Sequence, residues 1–307
     1  MTSESIKISV AGYQGADSVH TKGVQAFGKA LRARLGDRLQ FEVDNNVLDK
    51  GHKSGDLLGM VERGVYEMFY ISTIRFTEAV PECQFFDLPF VVSDRQKVYQ
   101  ALDGDVGQLL KDKFRAATPF HVMGFFDNGF RHITNRAPPI RTPEDCAGLT
   151  IRTQMTPLPG EGLRQLGFNS TQLDIKYLVE QIDGGDFDAQ ENSLSSTYNF
   201  NLHKHHRHIT LTGHIFGVAA FLCNQKVYDA WPQDVRDAIE AAAIEATHEQ
   251  RRLAIAEDEV VLSRLVPSEN DVVHLSKAER AKFVEAARPL VDSYREKLGP
   301  ELFDALL

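Results

Sequence analysis

Between Ile6 and Ile71 the chain switches repeatedly between two hydrophobic periods, and this alternation restricts the fold more than any other feature. Ile6-Lys7-Ile8-Ser9-Val10 alternates with the two-residue period of a strand. Val24, Phe27, Leu31 and Leu35 then recur at helical spacing. Leu39 to Val43 reads as a second strand, a short helix follows, and Val65 to Ile71 reads as a third. Strands joined by helices rather than tight turns lie parallel, with the helices packed on the sheet faces, so the pattern predicts an α/β fold.

Further along, Val98, Leu102, Val106 and Leu109 mark one face of a helix. His121 to Phe126 reads as a strand leaving a first lobe, and the turn-forming tripeptide Asp127-Asn128-Gly129 opens a second. Thr142-Pro143-Glu144-Asp145 has the residue order of a helix start: a capping hydroxyl, proline in the first turn, then acids at the positive end of the dipole. Leu149 to Arg152 is the next strand. Phe168 to Leu173 extends, and a helix then runs to about Ile182 before Gly184-Gly185 breaks it. Leu211 to Cys223 is apolar enough for a buried strand.

No proline or glycine interrupts the chain between Pro232 and Val266. Val235, Ile239, Ala242, Ala246, Leu253, Ala256 and Val260 form a helical stripe there. Such a helix far exceeds the usual length of about 11–12 residues and would span two lobes. Ser276 and Glu279 make a capping box that opens a final helix through about Leu298.

Chemistry concentrates at three strand ends: Asp127-Asn128-Gly129-Phe130-Arg131, Gly148-Leu149-Thr150-Ile151-Arg152, and Phe187-Asp188-Ala189-Gln190-Glu191-Asn192. Open α/β sheets bind ligands at the carboxyl ends of their strands. Arginine holds its charge at any working pH, and its planar fork matches a carboxylate through two parallel hydrogen bonds. Two such forks converging in a cleft would receive a small organic acid.

In this order the patterns resemble the solute-binding subunits of tripartite ATP-independent periplasmic (TRAP) transporters. The resemblance runs from about Ile6 to the Arg251 region. It takes in Phe86-Asp87-Leu88-Pro89-Phe90, Gly129 to Thr134, Pro138 to Arg152, Asp188 to Asn192 and Leu211-Thr212-Gly213-His214.

The resemblance implies a two-lobed periplasmic-binding-protein fold of type II-like topology with a long lobe-spanning helix. Lobe I would comprise residues 1–126 plus 212–250, and lobe II residues 127–211 plus 251–307. It also implies that Arg152 grips the ligand carboxylate, that Arg131 is a second cleft arginine, and that Asn192 gives a directional amide contact. Tyr70, Ser72 and Arg75 are looser first-lobe candidates, and Ile175 falls where some members place an aromatic residue beside the ligand. Tyr177 and Val179 stand where the family usually has Glu and Tyr, and Ala189 replaces a family glycine, so the substrate is not copied from the family. The implied partners are the organic acid and the TRAP membrane permease subunits, with the receptor itself a monomer.

Each site has a plainer reading. Arg152 could be a surface arginine, and Arg131 could pair with a nearby acid. The run His203-Lys204-His205-His206-Arg207-His208 suggests a metal site. Its two interleaved cations, and the lack of any acid or cysteine, favour a solvated strand edge or loop instead, so no metal is expected. Gly160-Glu161-Gly162 opens a dinucleotide fingerprint, but Gln165 occupies the third glycine position, and no cofactor is expected. Asp186, Asp188 and Glu191 have no tuned acid–base partner. An enzyme on a related two-lobed fold, or a sensory module reporting to a signalling partner, therefore remains a rival without a named residue.

Composition sets outer limits. A net charge of -9 argues against a nucleic-acid surface, which would be basic. Cys83, Cys146 and Cys223 are too few for a disulfide framework. The longest apolar stretch, Ile215 to Cys223, falls far short of the ~20 residues needed to span a bilayer. Met1-Thr2-Ser3-Glu4-Ser5 has neither the basic nor the apolar region of an export signal. A periplasmic location thus supposes a signal removed or replaced, a cytoplasmic copy being the alternative.

Overall fold

The computed structural model describes residues 5–136 and 138–306. The start of the chain, to which the export expectation refers, lies outside them. Among the described residues nine strands are formed: β1 (Ile6–Ala11), β2 (Leu39–Asp44), β3 (Met68–Ser72), β4 (Phe120–Asn135), β5 (Thr150–Thr153), β6 (Asn169–Gln172), β7 (Ala189–Ser193), β8 (His208–Asn224) and β9 (Asp271–Val273). The chain divides into two compact units. Unit 1 holds the residues up to Thr73, Leu109–Asn128 and Val218–Glu257; unit 2 holds Ile74–Gln108, Gly129–Gly217 and the residues from Asp258.

Unit 1 contains the predicted parallel unit. β1 pairs in parallel with β2 from Ile6↔Leu39 to Ala11↔Asp44, and with β3 at Val10↔Met68. The late part of β8 closes the other side of β3 in antiparallel register, Tyr70 opposite Phe221. Between β1 and β2 the helix Val19–Leu35 buries Val24, Phe27, Leu31 and Leu35, the stripe read from the sequence. Ser18 caps this helix by accepting from the Thr21 amide at 3.1 Å.

The long helix is Gln233–Arg264, 32 residues. Val235, Ile239, Ala242 and Ala246 are buried as expected, but the buried stripe then passes through Gln250, Ala254, Glu257 and Val261. Leu253 and Val260 are only half-buried and Ala256 is exposed. The reason is polar. Gln250 accepts from the Asp127 amide at 2.8 Å and donates to the Asp127 carbonyl at 2.7 Å, which ties the helix to strand backbone through a buried polar side chain.

In unit 2, β4 pairs antiparallel with β7, Arg131 opposite Ser193, and β7 pairs in parallel with β5. β5 continues in parallel to β6, and β9 adds in parallel to the early part of β8. Ile133, Ile151, Ala189, Leu163, Phe168 and Phe283 fill one core.

Three local expectations, a turn and two helices, differ from the structure. Asp127-Asn128-Gly129 is no turn: β4 runs through it for 16 residues, with Gly129 at φ +82° taking the irregularity that only glycine accepts freely. The helix expected through Val98 and Leu109 is two helices, Arg95–Asp103 and Asp105–Ala117. The break at Gly104 resets the phase, so Leu110 is buried and Leu109 exposed. Ser276 does cap Lys277–Leu298 with the expected box, but a further helix, Pro300–Leu306, follows. The segment Ile74–Gln108, assigned to lobe I from the sequence, groups with unit 2. There Phe85 meets Phe303 edge-on at 5.0 Å, and Tyr99 lies 6.5 Å from Phe216.

Candidate functional site

The first element of the site is the short strand β5. A 3₁₀ turn, Pro143–Cys146, leads into it under a complete Thr142/Asp145 capping box, and Gly148 at φ +82° turns the chain toward the sheet. Arg152, the third residue of β5, is 3% exposed. Its Nε and Nη2 donate to the Leu173 carbonyl at 2.8 and 2.5 Å. Among the described residues no carboxylate lies within ion-pair distance of it. Burial draws its pKa down to about 10, with Glu191 opposing the shift from a distance, so the guanidinium stays charged at neutral pH. An ion held in a low-dielectric interior without a counter-ion is costly, and an arriving anion would relieve that cost.

Arg131, 3% exposed on β4, is held differently. Its fork closes on Glu191: Nε donates to Oε2, and Nη2 to Oε1 at 3.0 Å and to the Glu191 carbonyl at 2.8 Å. Nη2 also reaches Asn192 Oδ1 at 3.1 Å. Glu191 accepts in addition from Thr153 Oγ1 at 2.8 Å, and His214 Nε2 stands 3.7 Å away. Burial pushes the Glu191 carboxyl up, but the charge and hydrogen bonds of Arg131, with His214 and Arg152 behind them, hold it below the usual carboxylate range. The plainer reading of Arg131, an ion pair with a nearby acid, is therefore present in the structure.

The same buried network includes residues to which the sequence alone assigns no role. Burial drives the Asp87 carboxyl well above its ordinary range, against the lowering pull of Arg131. Burial lowers His214 to about 4, leaving a neutral imidazole whose Nδ1 lies 2.7 Å from Thr212 Oγ1. Asp87 and His214 both lie in segments that carry the family resemblance, which is the available signal. Glu191 reads from the sequence only as a candidate acid–base group.

The other candidates are dispersed. Asn192 donates from Nδ2 to Gln190 Oε1 at 2.7 Å, so both ends of its amide are engaged internally. Arg75 belongs to unit 2, where its Nη2 pairs with Asp174 at 2.7 Å. Asp174 in turn caps the helix Ile175–Gln181 by accepting from the Lys176 amide at 3.0 Å. Ile175, the first residue of that helix, is buried, whereas Val179 is exposed. Tyr70 and Ser72 lie on β3 in unit 1. Tyr70 is 1% exposed and stacks on His20 with centroids 5.1 Å apart. Ser72 pairs with Ala219 across the sheet.

The histidine run lies largely in a 3₁₀ turn and loop with Lys204 and Arg207 exposed, but His206 is fully buried against Thr134 Oγ1 at 2.9 Å. His205 meets Asp183 at 2.7 Å, and His208 meets Asp271 at 3.1 Å. These imidazoles go to separate partners and do not converge.

A two-unit α/β chain that presents a buried, acid-free guanidinium at a strand end has the character of a solute-binding protein for anions. The chain belongs to the bacterial extracellular solute-binding protein family 7, DctP, which it matches over residues 10–297. It is 25% identical over 305 residues to the C4-dicarboxylate-binding periplasmic protein DctP of Rhodobacter capsulatus, covering 99% of this chain and 90% of the relative.

The sugar acid binding protein of Advenella mimigardefordensis in complex with galactonate superposes with a TM-score of 0.92 at 26% identity, covering 99% of this chain and 98% of that one. A TRAP periplasmic solute-binding protein of Sulfurospirillum deleyianum with bound succinate gives 0.91 at 25% identity, with coverages of 99% and 98%. The expected α/β two-lobed binding-protein fold is the one these structures share. Among the described residues, no helix is long and apolar enough to cross a membrane.

Proposed function

We propose that this protein is a periplasmic receptor that binds a small organic acid through Arg152 and delivers it to TRAP membrane permease subunits. The observation that carries this reading is the buried Arg152 guanidinium, with no carboxylate partner among the described residues, where the otherwise similar Arg131 has Glu191. A ligand carboxylate would supply the missing counter-charge. Arg131 then acts chiefly by holding Glu191, and with it Thr153, in place beside the grip.

Membership of a solute-receptor family supports a receptor without a chemical step. The ligands named for the two structural relatives, galactonate and succinate, indicate which acids to try first. Ile175, Tyr177 and Val179 are the positions expected to shape the rest of the pocket.

Calorimetric titration of both acids against the native chain and Arg152→Ala tests the reading. Loss of the arginine is expected to cost about 2–5 kcal/mol of binding, because the ligand charge would be buried unpaired. Unchanged affinity in the variant would overturn it, and recovery of a chemically altered acid would show an enzyme instead.

A further inference from the structure

One residue along β4 from Arg131, the side chain of His132 projects from the other face of the strand. It lines a cavity of about 330 Å³ within unit 2, to which Arg152, Arg131 and Asn192 contribute nothing. The size falls within the range of small-molecule sites. Phe130, Leu194, Leu211 and Leu262 form its apolar walls, and His132, Asp258 and Arg280 its ionisable groups.

Two hydrogen-bond donors face this cavity without an internal acceptor among the described residues. His132 is 9% exposed, and its Nδ1 accepts from the Gly213 amide at 3.0 Å. That bond fixes the tautomer and leaves the proton on Nε2, for which no acceptor exists among the described residues. Burial keeps the ring neutral, with a pKa of about 3. Arg280 is half-buried, its guanidinium 5.2 Å above the Phe90 ring, and it too has no carboxylate partner among the described residues. Asp258, by contrast, is paired with Arg95 at 2.7 Å. The cavity therefore carries one uncompensated positive charge.

We propose that this cavity is a second binding site, independent of the Arg152 grip, for a small apolar monocarboxylate. Arg280 and the His132 Nε2–H hold the two carboxylate oxygens, and Phe130 with the leucines covers the hydrocarbon. A monocarboxylate fits better than phosphate on two counts. One fork and one N–H satisfy two oxygens but not four, and the Asp258 carboxylate repels a dianion.

The test uses the full chain and 4-fluorobenzoate followed by ¹⁹F NMR, with Arg152→Ala as the background so that binding at the first grip does not contribute. Saturable broadening of the fluorine line is expected in Arg152→Ala, and a loss of at least about tenfold in affinity when Arg280→Met is added. Arg280 is half-exposed on its helix, so that substitution leaves the core intact; circular dichroism melting verifies it. 4-Fluorobenzyl alcohol, which lacks the charge, should bind at least about tenfold more weakly than the acid. No saturable binding of the acid to Arg152→Ala, or binding indifferent to Arg280→Met, would overturn the proposal. Inorganic phosphate competing as well as benzoate would overturn the ligand class.

Discussion

Strands β4 and β5 each bury an arginine to the same 3% exposure, and the two are electrostatic opposites. On β4, Arg131 forms a closed fork with Glu191, braced by Thr153 and Asn192. On β5, Arg152 has a single carbonyl, that of Leu173, and no acid at contact among the described residues. Burial alone therefore does not distinguish a structural arginine from a binding one; the missing counter-ion does. A compensated charge contributes to the fold it is buried in. An uncompensated one is a standing cost that a ligand can offset.

The contrast breaks most sharply at Arg131. Replacing it with Met should destabilise the chain by about 3–5 kcal/mol, because Glu191 would be left buried and unpaired. Urea unfolding at pH 7 measures this; a loss under about 1 kcal/mol would mean that the Glu191 pair is weak and the contrast false.

A second effect concerns Asp87, whose carboxyl is raised by burial. In the unfolded chain it ionises in the ordinary range near about 4, whereas in the folded chain it ionises only at higher pH. The native protein therefore loses stability as pH rises through that range toward the folded pKa. Asp87→Asn should remove this loss, gaining stability at pH 7 and little at pH 4. A variant whose stability parallels the native curve at both pH values would contradict the assignment.

The smallest effect is expected at Arg152. Without ligand, Arg152→Met should change stability by no more than about 1 kcal/mol, since relief of a bare buried charge offsets the lost bonds to Leu173. Thermal melts of Arg131→Met and Arg152→Met side by side test the comparison directly. Equal losses would end it.

Much of the architecture could be read from the chain itself. The β1–helix–β2 alternation, the 32-residue helix and the Ser276 capping box follow from local periodicity and capping chemistry, and the structure contains each. Local chemistry misleads where distant partners decide the outcome. Asp127-Asn128-Gly129 looks like a turn, but Gln250 on the long helix secures the Asp127 backbone and β4 passes straight through. The stripe on the long helix slips to Gln250 and Glu257 because hydrophobic patterns cannot register a buried polar residue.

The site divides along the same line. Which side chains the strands carry was fixed by the residue order, since a strand's position and period set what it delivers to each face. Which of those charges has a partner was decided only by folding. Glu191 is 60 residues from Arg131 in the chain and closes on it through the β4–β7 register, while no described carboxylate reaches Arg152 in the same way. Pairing of charges depends on through-space distance, and only the tertiary structure sets that.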